Sequence, residues 1–287
     1  MNHKLRYLIS GFLLMLTMAS GAADTLKIHL TYKHKLDNTG HSTGRIVVNQ
    51  KLHTPEGILF REINFDEITG QMAGYVFYFY KDGRLFTQEF YNQTDSLQYI
   101  LKHEYDPSGN EIRITKLFPG PGQMISAEKT VQVYNNNRKV IQQKKYYGRQ
   151  LGSLTKYQYT PSGFLSQEIS KFKPSAKSSS KQENKSYSYS PGKMLSQIVV
   201  TGKDFTNKPY QYREEYGYDD KGWLSAVKTL DASNVLTGTK VYKYFTGGAI
   251  NIYEEYNAEG SLAVLLEYDY KKHYMEPGTQ VSRYEAF

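Results

Sequence analysis

Residues 159–165 read YTPSGFL, residues 218–224 read YDDKGWL and residues 256–262 read YNAEGSL. Each stretch contains a tyrosine, three turn-forming residues, a glycine, a variable residue and a leucine. Asp, Asn or Thr at the first turn position can hydrogen-bond the backbone ahead of it, Pro at the second presets φ, and Gly accepts positive φ. The pattern therefore predicts a type I turn that closes a β-hairpin, with a one-residue bulge at the glycine.

The same pattern returns along the chain about every 12–15 residues, a spacing that is typical of repeat architectures. In two altered copies Asp95 and Asn234 occupy the glycine position, and both residue types tolerate left-handed backbone geometry better than most. His53 replaces the tyrosine in another copy. The altered copies include residues 53–59, 80–85, 91–97, 105–109, 189–195 and 230–236.

Tyrosines in the flanking segments alternate with period two, so each pair is predicted on one face of a strand that enters a turn. We find no amphipathic helix pattern of ten or more residues. The sequence therefore predicts an all-β protein, a long antiparallel meander of hairpins that forms an extended or spiralling, β-solenoid-like sheet. The pairs are Tyr157/Tyr159, Tyr187/Tyr189, Tyr216/Tyr218 and Tyr242/Tyr244.

Three further segments complete the predicted organisation. The hairpin repeat is expected over residues 51–287, and residues 24–50 are expected to form strands that cap it, because a solenoid needs a covered end. The Ser- and Lys-rich residues 173–186 are predicted to be a mobile loop inside the repeat domain.

The repeated tyrosine, turn and glycine resemble the YD-repeat (Rhs-type) family over roughly residues 50–275. The literal Tyr-Asp pair occurs at residues 105–106, 218–219 and 268–269. This resemblance implies a spiralling β-sheet and, in some family members, carbohydrate binding. The chain resembles the short exported members rather than the long toxin-enclosing shells, because it has no toxin module after the repeats.

The N-terminus has the order of a secretory signal peptide: Lys4 and Arg6 precede an apolar run that ends at Met18, and small residues follow. Cleavage is expected after Ala23, which makes residues 1–23 the signal peptide and the mature chain soluble in the periplasm or outside the cell. The apolar run is too short to span a bilayer core of about 30 Å.

Composition excludes several classes of protein. The chain of 287 residues has no cysteine, which excludes disulfides, thiol catalysis and cysteine–zinc sites. Its net charge of +8 falls to +6 without residues 1–23, and the basic residues are not clustered as nucleic-acid binding requires. We therefore expect no nucleic-acid partner.

Residues that could carry out chemistry are few. His29, His34 and His41 do not have the spacing of a zinc site, and no phosphate-binding loop or nucleophile elbow is present. The alternative of a polysaccharide-active enzyme needs a carboxylate pair, for which Glu214 and Glu254 on different strands are the candidates. We predict a non-enzymatic protein without cofactor or metal.

Tyr216, Tyr218 and Trp223 are the candidate ligand-binding residues. Aromatic faces on a regular sheet can stack on sugar rings while tyrosine hydroxyls bond the sugar alcohols. The competing explanation is cross-strand packing, which aromatic pairs also provide. The leading hypothesis is a binding or structural module of the bacterial cell envelope, with a glycan or another envelope protein as partner.

An outer-membrane β-barrel is the second alternative, because many strands behind a signal peptide are typical of porins. Residues 138–147 weigh against it, since Lys144 and Lys145 put charge on both faces of one strand. A lysine or arginine at the middle of the bilayer costs about 2–4 kcal/mol.

Overall fold

The computed structural model describes residues 25–173 and 180–274, with Thr25 and residues 271–274 described by their backbone alone. It contains 18 β-strands, which agrees with the all-β prediction. In chain order they are β1 (Thr25–Leu36), β2 (Ser42–His53), β3 (Leu59–Phe65), β4 (Met72–Lys81), β5 (Arg84–Asn92), β6 (Leu97–Tyr105), β7 (Glu111–Gly120), β8 (Gln123–Tyr134), β9 (Val140–Tyr147), β10 (Gln150–Tyr159), β11 (Leu165–Phe172), β12 (Lys181–Tyr189), β13 (Leu195–Lys203), β14 (Pro209–Tyr218), β15 (Leu224–Asp231), β16 (Leu236–Tyr244), β17 (Ile250–Tyr256) and β18 (Leu262–Tyr274).

The strands form one closed antiparallel barrel. Each strand pairs with the next along the chain, and β1 also pairs with β18, from Thr25 opposite Tyr274 to Lys33 opposite Leu266. The antiparallel meander is confirmed. The predicted extended or spiralling, β-solenoid-like sheet is wrong, because the last strand returns to the first and leaves no open edge.

The turns follow the predicted chemistry. In the β14–β15 turn the amide of Gly222 donates to the carbonyl of Asp219 at 3.0 Å, and the side chain of Asp219 accepts from two backbone amides. Gly222 has φ +79°, and Asp95 and Asn234 take φ +58° and +66° in their copies. Local sequence therefore determines where the wall reverses direction.

The structure also differs from three other expectations: the N-terminal cap, the internal loop and the sheet implied by the family resemblance. Residues 24–50 were expected to cap a solenoid, but β1 and β2 are wall strands that close the barrel. The predicted loop over residues 173–186 is too long, because β12 begins at Lys181; residues 174–179 lie outside the described part, as does the predicted signal peptide. The closed wall also differs from the spiralling sheet that the YD-repeat resemblance implies, so the structure does not support that implication.

Register defines two faces of the wall. We call the face that carries Tyr187 and Tyr216 the tyrosine face and the other the opposite face. On the tyrosine face, Ile198 pairs with Tyr187 and Glu214, and Val200, only 1 % exposed, pairs with Tyr212. On the opposite face a second cluster is centred on Leu52, Ile63 and Tyr75. Each strand packs against its two neighbours in the wall.

Candidate functional site: the tyrosine rim and the charged wall

One end of the barrel carries a regular series of tyrosines, which we call the tyrosine rim. The hydroxyl of Tyr218, at the end of β14, donates to the carbonyl of Leu195 at the start of β13, at 2.9 Å. Each such bond joins the end of an even-numbered strand to the beginning of the strand before it, so it links two successive turns. The donors are Tyr105, Tyr134, Tyr159, Tyr189, Tyr218, Tyr244 and Tyr270.

His53 occupies the equivalent position in β2 and hydrogen-bonds to the backbone of Lys27 in β1. Its place in the sequence pattern, where it replaces the tyrosine, therefore corresponds to its place in the structure. All of these side chains hydrogen-bond a backbone group of the preceding strand. This explains why the pattern begins with a residue that combines a flat ring with a polar atom at its end.

A second side chain covers the ring of several rim tyrosines. Trp223 packs against Tyr244 with ring centroids 5.3 Å apart, and Phe164 packs against Tyr189 at 5.0 Å. Arg84 and Lys139 place their cations over Tyr105 and Tyr159. Each covering residue directly follows a residue with positive φ.

These contacts give the predicted ligand-binding residues structural partners. Tyr218 bonds a backbone carbonyl, and Tyr216 donates to Glu214 at 2.7 Å. Trp223 lies between Tyr244 and Gly248, where an added Cβ would come within 3.1 Å of the indole. The three residues are neighbours on one hairpin, but their polar and ring contacts are already used within the wall. Their role in ligand binding stays a prediction.

The proposed carboxylate pair is not brought together. Glu214 lies on the tyrosine face of β14, opposite Ile198, whereas Glu254 lies on the opposite face of β17, opposite Leu265. The histidines are also dispersed: His29 contacts the ring of His53, and His34 contacts Glu267 at 3.1 Å.

Within residues 25–173 and 180–274, no group of three or more His, Asp or Glu side chains is placed to hold a metal ion. Over the same described residues, no helix is sufficiently long and apolar to traverse a membrane.

Paired charges line the tyrosine face between β11 and β14. Lys185 lies 3.6 Å from Glu168 and 3.5 Å from Glu183. Tyr187 donates to Glu168 at 3.2 Å, and Tyr210 donates to Glu183 at 2.7 Å. Each carboxylate thus forms an ion pair with a lysine and accepts a hydrogen bond from a tyrosine, which makes this face polar although its side chains are half-buried.

The opposite face of the same region is also charged. Lys144, Lys156 and Arg213 lie on this face in β9, β10 and β14, and Lys228 lies on it in β15. Lys156 and Lys228 are exposed. Over β9–β15, therefore, neither side of the wall offers a continuous apolar surface.

Sequence reasoning missed a cavity of about 370 Å³ at the tyrosine rim beside β4, β5 and β6. Its lining includes Lys81, Arg84 and Lys102. These residues are scattered over 22 positions of sequence, and only the pairing of the three strands brings them together. The only sequence feature that could have indicated this cavity is the shortened turn at Asp82.

Turn carboxylates at both ends of the barrel are held in their ionised form. The pKa of Asp204 lies below its usual range because the carboxylate accepts from the Thr206 hydroxyl and the Lys208 amide. The pKa of Asp106 is lowered in the same way, chiefly by the side chain and backbone of Asn110. Hydrogen bonds to the charged form are the cause in both turns.

Comparison with known proteins gives no family. No family model and no curated protein matches the chain. Among solved structures, a porin-like protein from Bacteroides uniformis is 10% identical, with 85% of this chain and 97% of that chain covered and a TM-score of 0.43. A porin-like protein from Bacteroides vulgatus is 8% identical, with 84% and 97% covered and a TM-score of 0.39.

The crystal structure of TcdB2-TccC3-Cdc42 is 12% identical with a TM-score of 0.34, and this chain covers 16% of that chain's length. All three TM-scores are below 0.5, so we base no argument on these similarities.

Proposed function

We propose that this chain is a β-barrel protein of the bacterial outer envelope whose hollow interior admits small polar solutes. The observation that carries the proposal is the closure of 18 strands through the pairing of β1 with β18. Barrels of 16–18 strands have interiors too wide for side chains to fill, and they leave an aqueous channel. Closure supports the barrel alternative better than an extended surface for glycan or protein recognition.

Insertion in the outer membrane is the first form of this proposal. The strand number is even and lies in the porin range. Most strands have 8–10 residues, close to the 9–11 residues that a tilted transmembrane strand needs. An N-terminal signal sequence would supply the route to this location.

A barrel surrounded by water in the periplasm or outside the cell is the second form. The observation that favours it is the presence of lysines on both faces of the wall, such as Lys144 and Lys145 in neighbouring positions of β9. Whichever face met lipid would carry several such charges, each destabilising by about 2–4 kcal/mol at the bilayer midplane.

Fractionation followed by conductance measurement tests the proposal. The full chain is expressed in a Gram-negative host, and membranes are washed with alkaline carbonate. We expect the chain to remain with the outer membrane and the purified protein to give stepwise conductance in planar bilayers. A carbonate-soluble chain without conductance would overturn the membrane form.

The water-surrounded form makes a different prediction for the same purified chain. Without detergent it should be monodisperse, and small-angle scattering should show the low central density of a hollow cylinder. A chain that is soluble but scatters as a filled particle would overturn the proposal in both forms.

A further inference from the structure

The tyrosine rim has a notch at the β4–β5 hairpin. This turn consists of Asp82 and Gly83, both with positive φ, as a type I′ turn requires. The next turn of the same rim, residues 106–110, is five residues long. The cavity of about 370 Å³ lies in the notch, and its volume is within the range of about 300–1,000 Å³ that small-molecule sites occupy.

Positive charge dominates this cavity. Lys81, Arg84 and Lys102 line it, and among the described residues none of them lies within 4.0 Å of a carboxylate. Of the two acidic residues in the lining, Glu104 is paired with Arg113 at 2.8 Å. The other, Asp82, cannot neutralise three cations. The cavity therefore favours an anion.

Ring surfaces lie beside the cations. Phe86 is 41 % exposed, and the Lys81 ammonium lies 6.0 Å from the centre of its ring. The Arg84 guanidinium lies 5.7 Å from the centre of the Tyr105 ring. A guanidinium that stacks on an aromatic ring keeps its edge free to bond a carboxylate with two parallel hydrogen bonds.

One residue that lines the cavity, His103, is held in place by its neighbours. His103 is 6 % exposed, and its two ring nitrogens contact Glu111 at 2.5 Å and Gln88 at 3.1 Å. Because both nitrogens have partners, this histidine shapes the cavity rather than offering a free group. The lining residues thus include a histidine with fixed contacts, an exposed ring surface and cations without a carboxylate partner.

We propose that this notch binds a small ring-bearing carboxylate, with the carboxylate on Arg84 and Lys102 and the ring against Phe86. Two sources share this chemistry: an aromatic acid, whose ring stacks on Phe86, and a sugar acid, whose C–H face does so. The site goes beyond the proposed function, because binding at the rim needs neither a membrane nor passage through the interior.

Calorimetric titration of the full chain with benzoate and with glucuronate, at low salt and up to about 10 mM ligand, tests the proposal. Saturable binding of either acid at one site supports it, and the acid that binds identifies the source. Glucose and benzamide, which lack the charge, should not bind. Absence of saturable binding by both acids would overturn the proposal.

Variants locate the binding. Replacing two unpaired lysines in K81Q/K102Q should weaken binding about tenfold or more, because charged hydrogen bonds contribute about 1.5–3 kcal/mol. Lys139→Gln is the matched control: Lys139 covers Tyr159 as Arg84 covers Tyr105, but it lies outside the cavity. Equal affinities in the two variants would overturn the assignment, whatever the conductance experiment shows.

Discussion

Tyrosines near the C-terminal ends of strands bond differently at the two ends of the barrel. At the tyrosine rim, hydroxyls such as that of Tyr218 donate to a backbone carbonyl of the neighbouring strand. At the other end, Tyr91 donates to Glu89 and Tyr256 to Glu254, two residues back on their own strands. The first arrangement joins successive turns, and the second does not. The same residue type at a strand end thus stabilises either the assembly of hairpins or a single strand.

The length of the turns also differs between the two ends of the barrel. Seven of the eight turns at the tyrosine rim are five residues long, whereas connections at the other end vary from two to eight residues. The short turn of Asp82 and Gly83 is nevertheless followed by a rim bond, from the Tyr105 hydroxyl to the Leu85 carbonyl at 2.8 Å. Five-residue turns therefore accompany the rim bonds but are not required for them.

Removing rim bonds together should give the largest effect. In Y189F/Y218F/Y244F three hydroxyl–carbonyl bonds are lost, each contributing about 0.5–1.5 kcal/mol. We expect the free energy of unfolding to fall by roughly 3 kcal/mol in denaturant titrations followed by circular dichroism.

Tyr91→Phe is the comparison for this loss, because its hydroxyl donates to the Glu89 carboxylate, and a hydrogen bond to a charged group contributes about 1.5–3 kcal/mol. Its loss per hydroxyl should be larger than that of the rim variant. An equal loss per hydroxyl at both ends would contradict the distinction between the rims.

Replacing a turn glycine should give the next largest effect. Gly222 has φ +79° and no atom near an added Cβ, so Gly222→Ala introduces backbone strain alone, about 1–2 kcal/mol. Gly192→Ala in another rim turn is the matched control, since Gly192 is not among the residues with positive φ, and should change stability by no more than about 0.5 kcal/mol. Thermal unfolding of both variants measures the difference.

Features that depend on neighbouring residues could be predicted from the sequence. The turn at residues 219–223 follows from Asp219 and Gly222. The placement of Tyr216 and Tyr218 on the same face of β14 follows from strand alternation. Closure could not be predicted, because β1 and β18 are joined by pairing across the whole length of the chain. No local pattern specifies such a contact.

The candidate site was predictable in part. The sequence singled out Trp223, but not that Phe164 and Arg84 occupy the same covering position next to a rim tyrosine. Aligning the repeats on the residue after the left-handed position would have revealed this series. The cavity depends on three strands side by side, so one repeat taken alone cannot reveal it.

Lys193→Gly should stabilise the protein. Lys193 has φ +65°. The glycine of this turn, Gly192, lies one position before Lys193, so the backbone strain falls on the lysine. Glycine removes left-handed strain of about 1–2 kcal/mol but adds entropy to the unfolded chain, so we expect a gain of about 0.5 kcal/mol.

Asn207→Gly, at φ +66° in a turn of the other end, is the comparison, because asparagine already tolerates this geometry. It should bring no gain in the midpoint of urea unfolding. A gain at Asn207 equal to that at Lys193 would show that residue type does not matter at these positions.

The turn carboxylates should give the smallest effect and show what the two ends share. The lowered pKa values of Asp106 at the tyrosine rim and Asp204 at the other end mean that each contributes stability above the ordinary aspartate pKa, and that this stability is lost as pH falls through the lowered value. Asp106→Asn and Asp204→Asn cannot titrate, so each variant should lose less stability than the parent chain between pH of about 6 and about 3. Urea unfolding at both pH values measures this, and a reduced pH dependence in only one variant would mean that the two ends differ in their turns as well as in their tyrosines.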